Sequence, residues 1–513
     1  MDLSRPAVSV GEVLPWAAER APTDVALITE TRSLTYAELD SLSNRLASAL
    51  LARGFATGDV ISLFAQNSWQ WIVAYHGILK AGGVVNPVNV MLTGPELRYV
   101  LDDCGAKGLF LGSPEAARVL DDIADSPLGL QVTLDSAFDE LLSEGSGDRL
   151  PAIRRTPRDL GSIAYTSGTT GHPKGAMQSL ESVLLNCAHT ATMHGKTQQD
   201  VILSALPAAH VYGNVAINGT FLAGGTVVLM QRFDPAAALR LISEHQVTVF
   251  EGVPAMYSMM LAAPELEAAD LRTIRVSTVG GQTFSPIILE QWEARTGAPL
   301  LELWGMTEIS GLGTTHSVYA PPCPGSIGVS LPGNDIAVVS MDGANRPVPV
   351  GERGELVIRG PLVMLGYHGR PEATAGVVTE DGWLHTGDVA YLDAGGHAFI
   401  VDRLKDMIIT AGYNVYPAEI ERVMAAHPDV AMVAVGRRAD AVKGEIAVAY
   451  IVARTGAKPD RDEILAFTAE RLAAYKRPRD IVMVDQLPTT SSGKLLRRKL
   501  GELGESSQLA DIH

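Results

Sequence analysis

The sequence predicts an α/β protein with a large N-terminal domain of parallel-type αβ subdomains and a β-rich subdomain, and a small C-terminal α+β domain. Three observations predict it. Strand-type and helix-type runs alternate from the N-terminus to Trp304. Short β-type runs separated by Gly and Pro follow Gly325, and a compact mixture of both textures begins at Arg403. Residues 1–402 are therefore read as one domain and 403–513 as a second. A chain of 513 residues, 46% apolar and 19% charged, has ample material for such cores.

The elements justify the class in order. Thr35 and Glu38 form a T-x-x-E capping box, and Leu39, Leu42, Leu46 and Leu50 recur at helical spacing behind it. Gly54 and Gly58 end that helix, and Val60, Ile61, Leu63 and Phe64 read as a buried strand. A helix through Trp69–Lys80 follows, then a strand at Val84–Val88. Thr93 and Glu96 open another helix, and Gly108–Gly112 carries a strand. Gly145 to Pro157 reads as a polar loop, and Ile163–Tyr165 as a strand running into a glycine-rich loop. Alternation resumes from Val201 to Trp304. Ile336–Val339 and Glu355–Ile358 are β-type. The last domain reads as a helix at Pro417–Ala426, strands at Val430–Val435 and Ala447–Val452, a helix at Asp462–Tyr475 and a strand at Ile481–Val484.

Charge and cysteine usage narrow the function. With 41 Lys+Arg against 58 Asp+Glu the formal charge is −17, which disfavours nucleic acid as a partner. A small anion remains compatible with a local donor site. Cys104, Cys187 and Cys323 are odd in number and far apart, so they suggest neither a disulfide framework nor a metal site, and a reducing cytoplasm is expected. Met1–Pro15 has no apolar run of signal length, and no stretch approaches the ~18 apolar residues of a membrane span.

The strongest local signal is Tyr165-Thr166-Ser167-Gly168-Thr169-Thr170-Gly171-His172-Pro173-Lys174-Gly175. Glycines and hydroxyls let N–H and O–H donors converge on phosphate oxygens, and Lys174 adds charge. It is not a Walker A loop, because Pro173 precedes Lys174 and Gly175 follows it.

This loop resembles the signature loop of the adenylate-forming superfamily of acyl-CoA synthetases, peptide-synthetase adenylation domains and luciferases. Four further motifs follow in the family's order. Leu303-Trp304-Gly305-Met306-Thr307-Glu308 resembles its aromatic-Gly-x-Thr-Glu motif, and Thr386-Gly387-Asp388 its T-G-D motif. Asp402-Arg403-Leu404-Lys405-Asp406 with Gly412-Tyr413 resembles its hinge, and Pro488 to Lys494 its C-terminal P-x-x-x-x-G-K. The look is nearest to bacterial acyl-CoA ligases.

The resemblance implies a reaction in two steps. A carboxylate and ATP give acyl-AMP and pyrophosphate, and the acyl group then passes to an acceptor. It implies that Thr166, Ser167, Gly168, Thr169, Thr170, Gly171 and Lys174 hold phosphate. Gly281, Gln282, Thr283, Glu302, Leu303, Trp304, Gly305 and Met306 would surround the nucleotide, with Trp304 facing adenine where relatives more often have Tyr. Glu302 stands where relatives often carry an amide or Asp, and Gln282 where many carry Ala. Thr307 would bond the α-phosphate, Glu308 would hold Mg²⁺, Asp388 would accept from the ribose hydroxyls and Arg403 would reach ribose or phosphate. Lys494 is the implied catalytic cation of the first step.

For the acid, the resemblance places His210 at the pocket mouth, near the carboxylate. No Asp occurs between Leu203 and Gly219, where amino-acid-activating relatives carry one, so an uncharged acid is expected. The walls assigned are Tyr212, Asn214, Met256, Phe284, Met306 and Leu312, which suit an aryl or aliphatic acid. In the second step the 403–513 domain would act as a mobile lid pivoting at Lys405, with Gly412 and Tyr413 lining the path of CoA. An amine is the alternative acceptor, on the same scaffold.

Overall fold

The structure is a computed structural model. It describes residues 9–150, 153, 155–166, 173–281, 286–411, 413–440, 442–454, 456–457, 459–488 and 495–503. The chain forms two compact units. The first comprises Met1–Ile336 with Ile358–Leu384, and the second Ala337–Val357 with His385–His513.

Two sheets build the first unit. A seven-stranded sheet runs in the order Gly366–Tyr367, Lys174–Ser179, Leu160–Thr166, Val84–Pro87, Val60–Phe64, Gly108–Leu111, Leu130–Thr133. The pairs from Leu160–Thr166 through to Leu130–Thr133 are parallel. Every residue of Val60–Phe64 is buried, as a strand covered on both faces requires, and this is why it reads as an unbroken apolar run. A nine-stranded sheet has the order Val329–Ser330, Gly311–Thr315, Leu300–Met306, Val276–Val279, Val249–Gly252, Val201–Ser204, Thr226–Leu229, Val25–Ile28, Ser33–Thr35. Its central strands are also parallel.

The helices begin where their caps predict. Thr35 and Glu38 close the box at Tyr36–Ala52, and the Glu96 carboxylate accepts from Thr93 N at 2.8 Å at the head of Gly94–Asp103. The helix Trp69–Lys80 has the bounds read from the sequence.

Most of a four-stranded sheet, in the order Asp335–Val339, Gly354–Arg359, Leu384–Leu392, Ala398–Arg403, belongs to the second unit. A second sheet joins Tyr413–Val415, Ile408–Thr410, Gly444–Ala453 and Val430–Asp440, with Asp480–Met483 parallel to Gly444–Ala453. Ile408, Ile420, Met424, Val435, Ala449 and Ile451 are core residues here.

One helix and two strands of the second unit differ from expectation. The helix read as Asp462–Tyr475 spans only Arg461–Ala469. The Arg477 guanidinium donates to Ala469 O at 2.8 Å and Leu472 O at 2.9 Å, satisfying terminal carbonyls that a longer helix would have paired. The strands Val430–Asp440 and Gly444–Ala453 outrun their apolar stretches, because backbone pairing continues from Arg437↔Ala447 to Asp440↔Gly444 beyond the core.

Candidate active site

The phosphate-loop candidates start from a strand pair. Thr166 ends one strand and Lys174 begins its antiparallel neighbour, directly opposite in register. Ser167, Gly168, Thr169, Thr170 and Gly171, which the sequence assigns to the loop, lie outside the described residues, as do Gln282, Thr283, Phe284, Gly412 and Lys494. Lys174 Nζ stands 5.3 Å from the centre of the Tyr367 ring. The Tyr367 hydroxyl donates to Glu308 Oε1 at 2.9 Å. Lys174, Tyr367 and Glu308 thus form one constellation, and burial together with the Glu308 carboxylate holds the Tyr367 phenol well above its ordinary pKa.

Glu308 is placed by main-chain geometry. The strand Leu300–Met306 runs into a single turn, Thr307–Ile309, which ends at Ser310 with φ +61°. The Thr307 carbonyl accepts from Gln178 Nε2 at 2.9 Å, and the Glu308 carbonyl accepts from Met364 N at 2.8 Å. The chain then returns as Gly311–Thr315. A Cβ on Gly305 would fall 2.1 Å from Gly311 O, so only glycine admits this close return. Trp304 is 8% exposed, and Gly313 lies against its ring: a Cβ at 313 would sit 2.5 Å from Trp304 Cζ3.

Tyr367 takes Oε1 of Glu308 and leaves Oε2 for another partner. One hard carboxylate oxygen fits Mg²⁺, which takes most of its remaining ligands from phosphate and water. Glu302, two residues before Trp304, accepts from Gly325 N at 2.9 Å and lines a small cavity with His316 and Cys323. Burial pushes its carboxyl up to about 7.

The acid-binding candidates gather at the head of the helix Val211–Ala223. His210 is its N-cap, and His210 Nδ1 accepts from Tyr212 N at 3.3 Å, so a neutral ring carries its proton on Nε2. The segment before it is anchored by Asn67. That side chain donates to Leu206 O at 2.9 Å and Met230 O at 3.0 Å, and accepts from Ala208 N at 2.7 Å. Asn67 follows the Val60–Phe64 strand of one sheet, and Leu206 follows the Val201–Ser204 strand of the other, so one amide ties the sheets together.

Tyr212 and Thr278 meet through their hydroxyls at 2.6 Å. Asn214 is turned the other way, accepting from Tyr75 OH at 3.2 Å. Tyr212 and Asn214 therefore do not share a wall. Leu312 is fully buried, whereas Met256 and Met306 are half-buried.

In the second unit, buried Asp388 meets exposed Arg403 across a strand pair, with Oδ1 to Nε at 2.9 Å. The turn before Asp388 is fixed by Thr386, which donates to Leu356 O at 2.7 Å, and by Glu355, which accepts from Gly387 N at 3.0 Å. Lys405 is exposed on the short turn Leu404–Asp406. Asp402 beside it is buried and accepts from Ala418 N at 2.8 Å; burial pushes its carboxyl up to about 6. Arg497 pairs with Glu421 and donates to Val435 O at 2.6 Å. Tyr413 is exposed and stacks on Tyr475 with ring centres 4.7 Å apart.

A model of the AMP-binding enzyme family matches residues 14–368, and one of the AMP-binding enzyme C-terminal domain matches 419–494. The chain belongs to the AMP-binding enzyme family. This AMP-binding enzyme is 38% identical over 499 residues to a feruloyl-CoA synthase of Amycolatopsis sp, covering 95% of this chain and 98% of the relative. It is 32% identical over 538 residues to a long-chain-fatty-acid–CoA ligase of Bacillus subtilis, covering 98% and 95%. Among solved structures, ATP-bound MatB from Rhodopseudomonas palustris matches with a TM-score of 0.91 and 31% identity, over 97% of this chain and 99% of that one. These matches establish the adenylate-forming fold and superfamily read from the five motifs.

Tyr367, Gln178 and Asn67 escaped the sequence reading. Tyr367 sits on a two-residue strand, too short to carry a periodic signal. Gln178 and Asn67 act through hydrogen bonds to main chain distant in sequence, which leave no local pattern.

Proposed function

We propose that this chain is an AMP-forming acyl-CoA ligase that activates an apolar aryl or aliphatic acid in the cytoplasm. The observation that carries the reading is the Lys174–Tyr367–Glu308 constellation at the foot of the phosphate-loop hairpin. A carboxylate is a poor electrophile, because its leaving group would be oxide. Adenylation makes AMP the leaving group, and the work of the protein is to bring two anions together and stabilise charge at the α-phosphorus.

Lys174 and the Ser167–Gly171 donors hold the phosphates. Glu308 holds Mg²⁺, which when bound neutralises phosphate charge. Thr307 bonds the α-phosphate, and Lys494 bridges the carboxylate and that phosphate. Asp388 accepts from the ribose hydroxyls with Arg403 at its side, and Trp304 and Glu302 bound the adenine. His210 Nε2–H faces the acid carboxylate. CoA then attacks the acyl-adenylate along Gly412 and Tyr413 after Lys405 turns. The amide-forming alternative loses support, because relatives that span nearly the whole chain are named for CoA.

Pyrophosphate release, screened over aryl, fatty and dicarboxylic acids with and without CoA, tests the reading. Acid-dependent release and a thioester product are expected. Release followed only by amide formation with an added amine would replace CoA as the acceptor.

A further inference from the structure

A buried ion pair lies beside the acid site and serves none of the steps above. Lys196 and Glu251 have fully buried side chains, with Nζ 3.0 Å from Oε1. Lys196 is well satisfied otherwise, donating to Ala216 O at 3.1 Å and to Thr220 Oγ1 at 3.4 Å. Glu251 is not. Its Oε1 faces the ammonium without forming a well-directed hydrogen bond, and its Oε2 has no hydrogen-bond partner among the described residues. A buried carboxylate oxygen left without a protein donor is costly, and its persistence calls for a partner.

Its position says what kind. Glu251 is the penultimate residue of the strand Val249–Gly252, opposite Ser204 on one side and Thr278 on the other. Register partners in a parallel sheet point to one face, so Ser204, Glu251 and Thr278 form a polar row. The alternate residue, Phe250, faces the apolar side with Trp292 and Tyr257. The row ends under Tyr212, whose hydroxyl meets Thr278, two residues from His210. It lies at the carboxyl ends of parallel strands, where such sheets bind ligands.

We propose that Glu251, held by Lys196, is a specificity-determining acceptor at the closed end of the acid pocket. The acid then carries a neutral hydrogen-bond donor, a hydroxyl or N–H, remote from its carboxylate. The donor is neutral because Lys196 already balances the Glu251 charge, and an ammonium would place a third, uncompensated charge in a buried site. The inference rests on the acid-activating reading above and deepens it.

The test compares pyrophosphate release from acids matched except for the donor: phenylpropanoic acids with a 4-hydroxyl, a 4-methoxy or no substituent, and octanoic acid with and without a terminal hydroxyl. The wild-type enzyme is expected to favour the donor-bearing member about a hundredfold or more in kcat/KM, since a site built for a hydrogen bond rejects the analogue lacking it. The double variant Lys196→Met/Glu251→Leu, which removes both charges, is expected to erase that preference or reverse it by up to about a hundredfold, as an apolar pocket does toward an added hydroxyl. The ratio cancels any loss of folded enzyme. An unchanged ratio in the double variant, or no donor preference in the wild type, overturns the proposal while leaving acid activation intact. Release from no acid at all sinks both. Should the double variant fail to fold, a crystal structure of the wild-type enzyme with the 4-hydroxyphenylpropanoyl adenylate decides. The hydroxyl within hydrogen-bond distance of Glu251 supports the proposal, and a hydroxyl bound elsewhere overturns it.

Discussion

Tyr367 acts at the scale of one hydroxyl. It anchors one oxygen of Glu308 and lends its ring to Lys174, so its loss should be felt at the metal-binding step and not in folding alone. Tyr367→Phe removes a hydrogen bond to a charged acceptor, worth about 1.5–3 kcal/mol. The Mg²⁺ concentration for half-maximal pyrophosphate release is expected to rise about tenfold or more, read by titration at saturating ATP. Glu302 is titratable in the working range. Its carboxyl is raised from 4.5 to about 7 by burial. As pH falls through about 7 the carboxylate gains a proton, loses its charge and becomes a weaker acceptor, so KM for ATP is expected to rise, and Glu302→Gln should flatten that profile. Stability has the opposite sense. A raised acid contributes stability below pH 4.5 that is lost as pH rises through about 7. The loss is at most about 3 kcal/mol, and the wild-type denaturation midpoint should fall relative to Glu302→Gln over that window.

At the scale of elements, the positions that matter are strand ends and the first turns after them. Asn67 holds two carbonyls and one N–H belonging to such turns. Asn67→Ala should destabilise the fold by about 3 kcal/mol, through buried groups left unpaired. It should also raise KM for the acid more than KM for ATP, because the freed segment leads to His210. Denaturation together with two-substrate kinetics checks both. Elements with a strong local cause were legible in the sequence: the Thr35–Glu38 box and the apolar run Val60–Phe64 both became what they promised. The helix beginning at Arg461 was legible at its start, to within one residue, but not at its end, because the stop comes from Arg477, a residue beyond the helix it closes. Glu308 was legible through its motif. Its partner Tyr367 was not, because their hydrogen bond joins positions 308 and 367 through a two-residue strand.

At the scale of the whole molecule, the pivot assigned to Lys405 lies within the second compact unit, which begins again at His385. Compactness and movement need not divide a chain at one residue: Asp388 and Arg403 are paired in one sheet, while the exposed turn Leu404–Asp406 follows it. If the rotation occurs at that turn, Lys405→Pro should leave acyl-adenylate formation near normal and abolish thioester release, because proline fixes φ near −65° and removes an N–H. Single-turnover assays of each half-reaction separate the two effects. Equal loss of both steps would place the pivot elsewhere.

The contact between Trp304 and Gly313 has a consequence for how such a site can change over generations or by design. The indole occupies the volume that a side chain at 313 would need. Exchanging Trp304 for the smaller Tyr opens a void, and giving Gly313 a methyl group while the indole remains drives a carbon into the ring. Each step alone passes through a less well packed intermediate, and a methyl group at 313 also needs Ile309 Cδ1, 2.7 Å away, to give way. The indole and the bare backbone beside it are thus one packing unit, and a library that varies position 304 should vary position 313 with it.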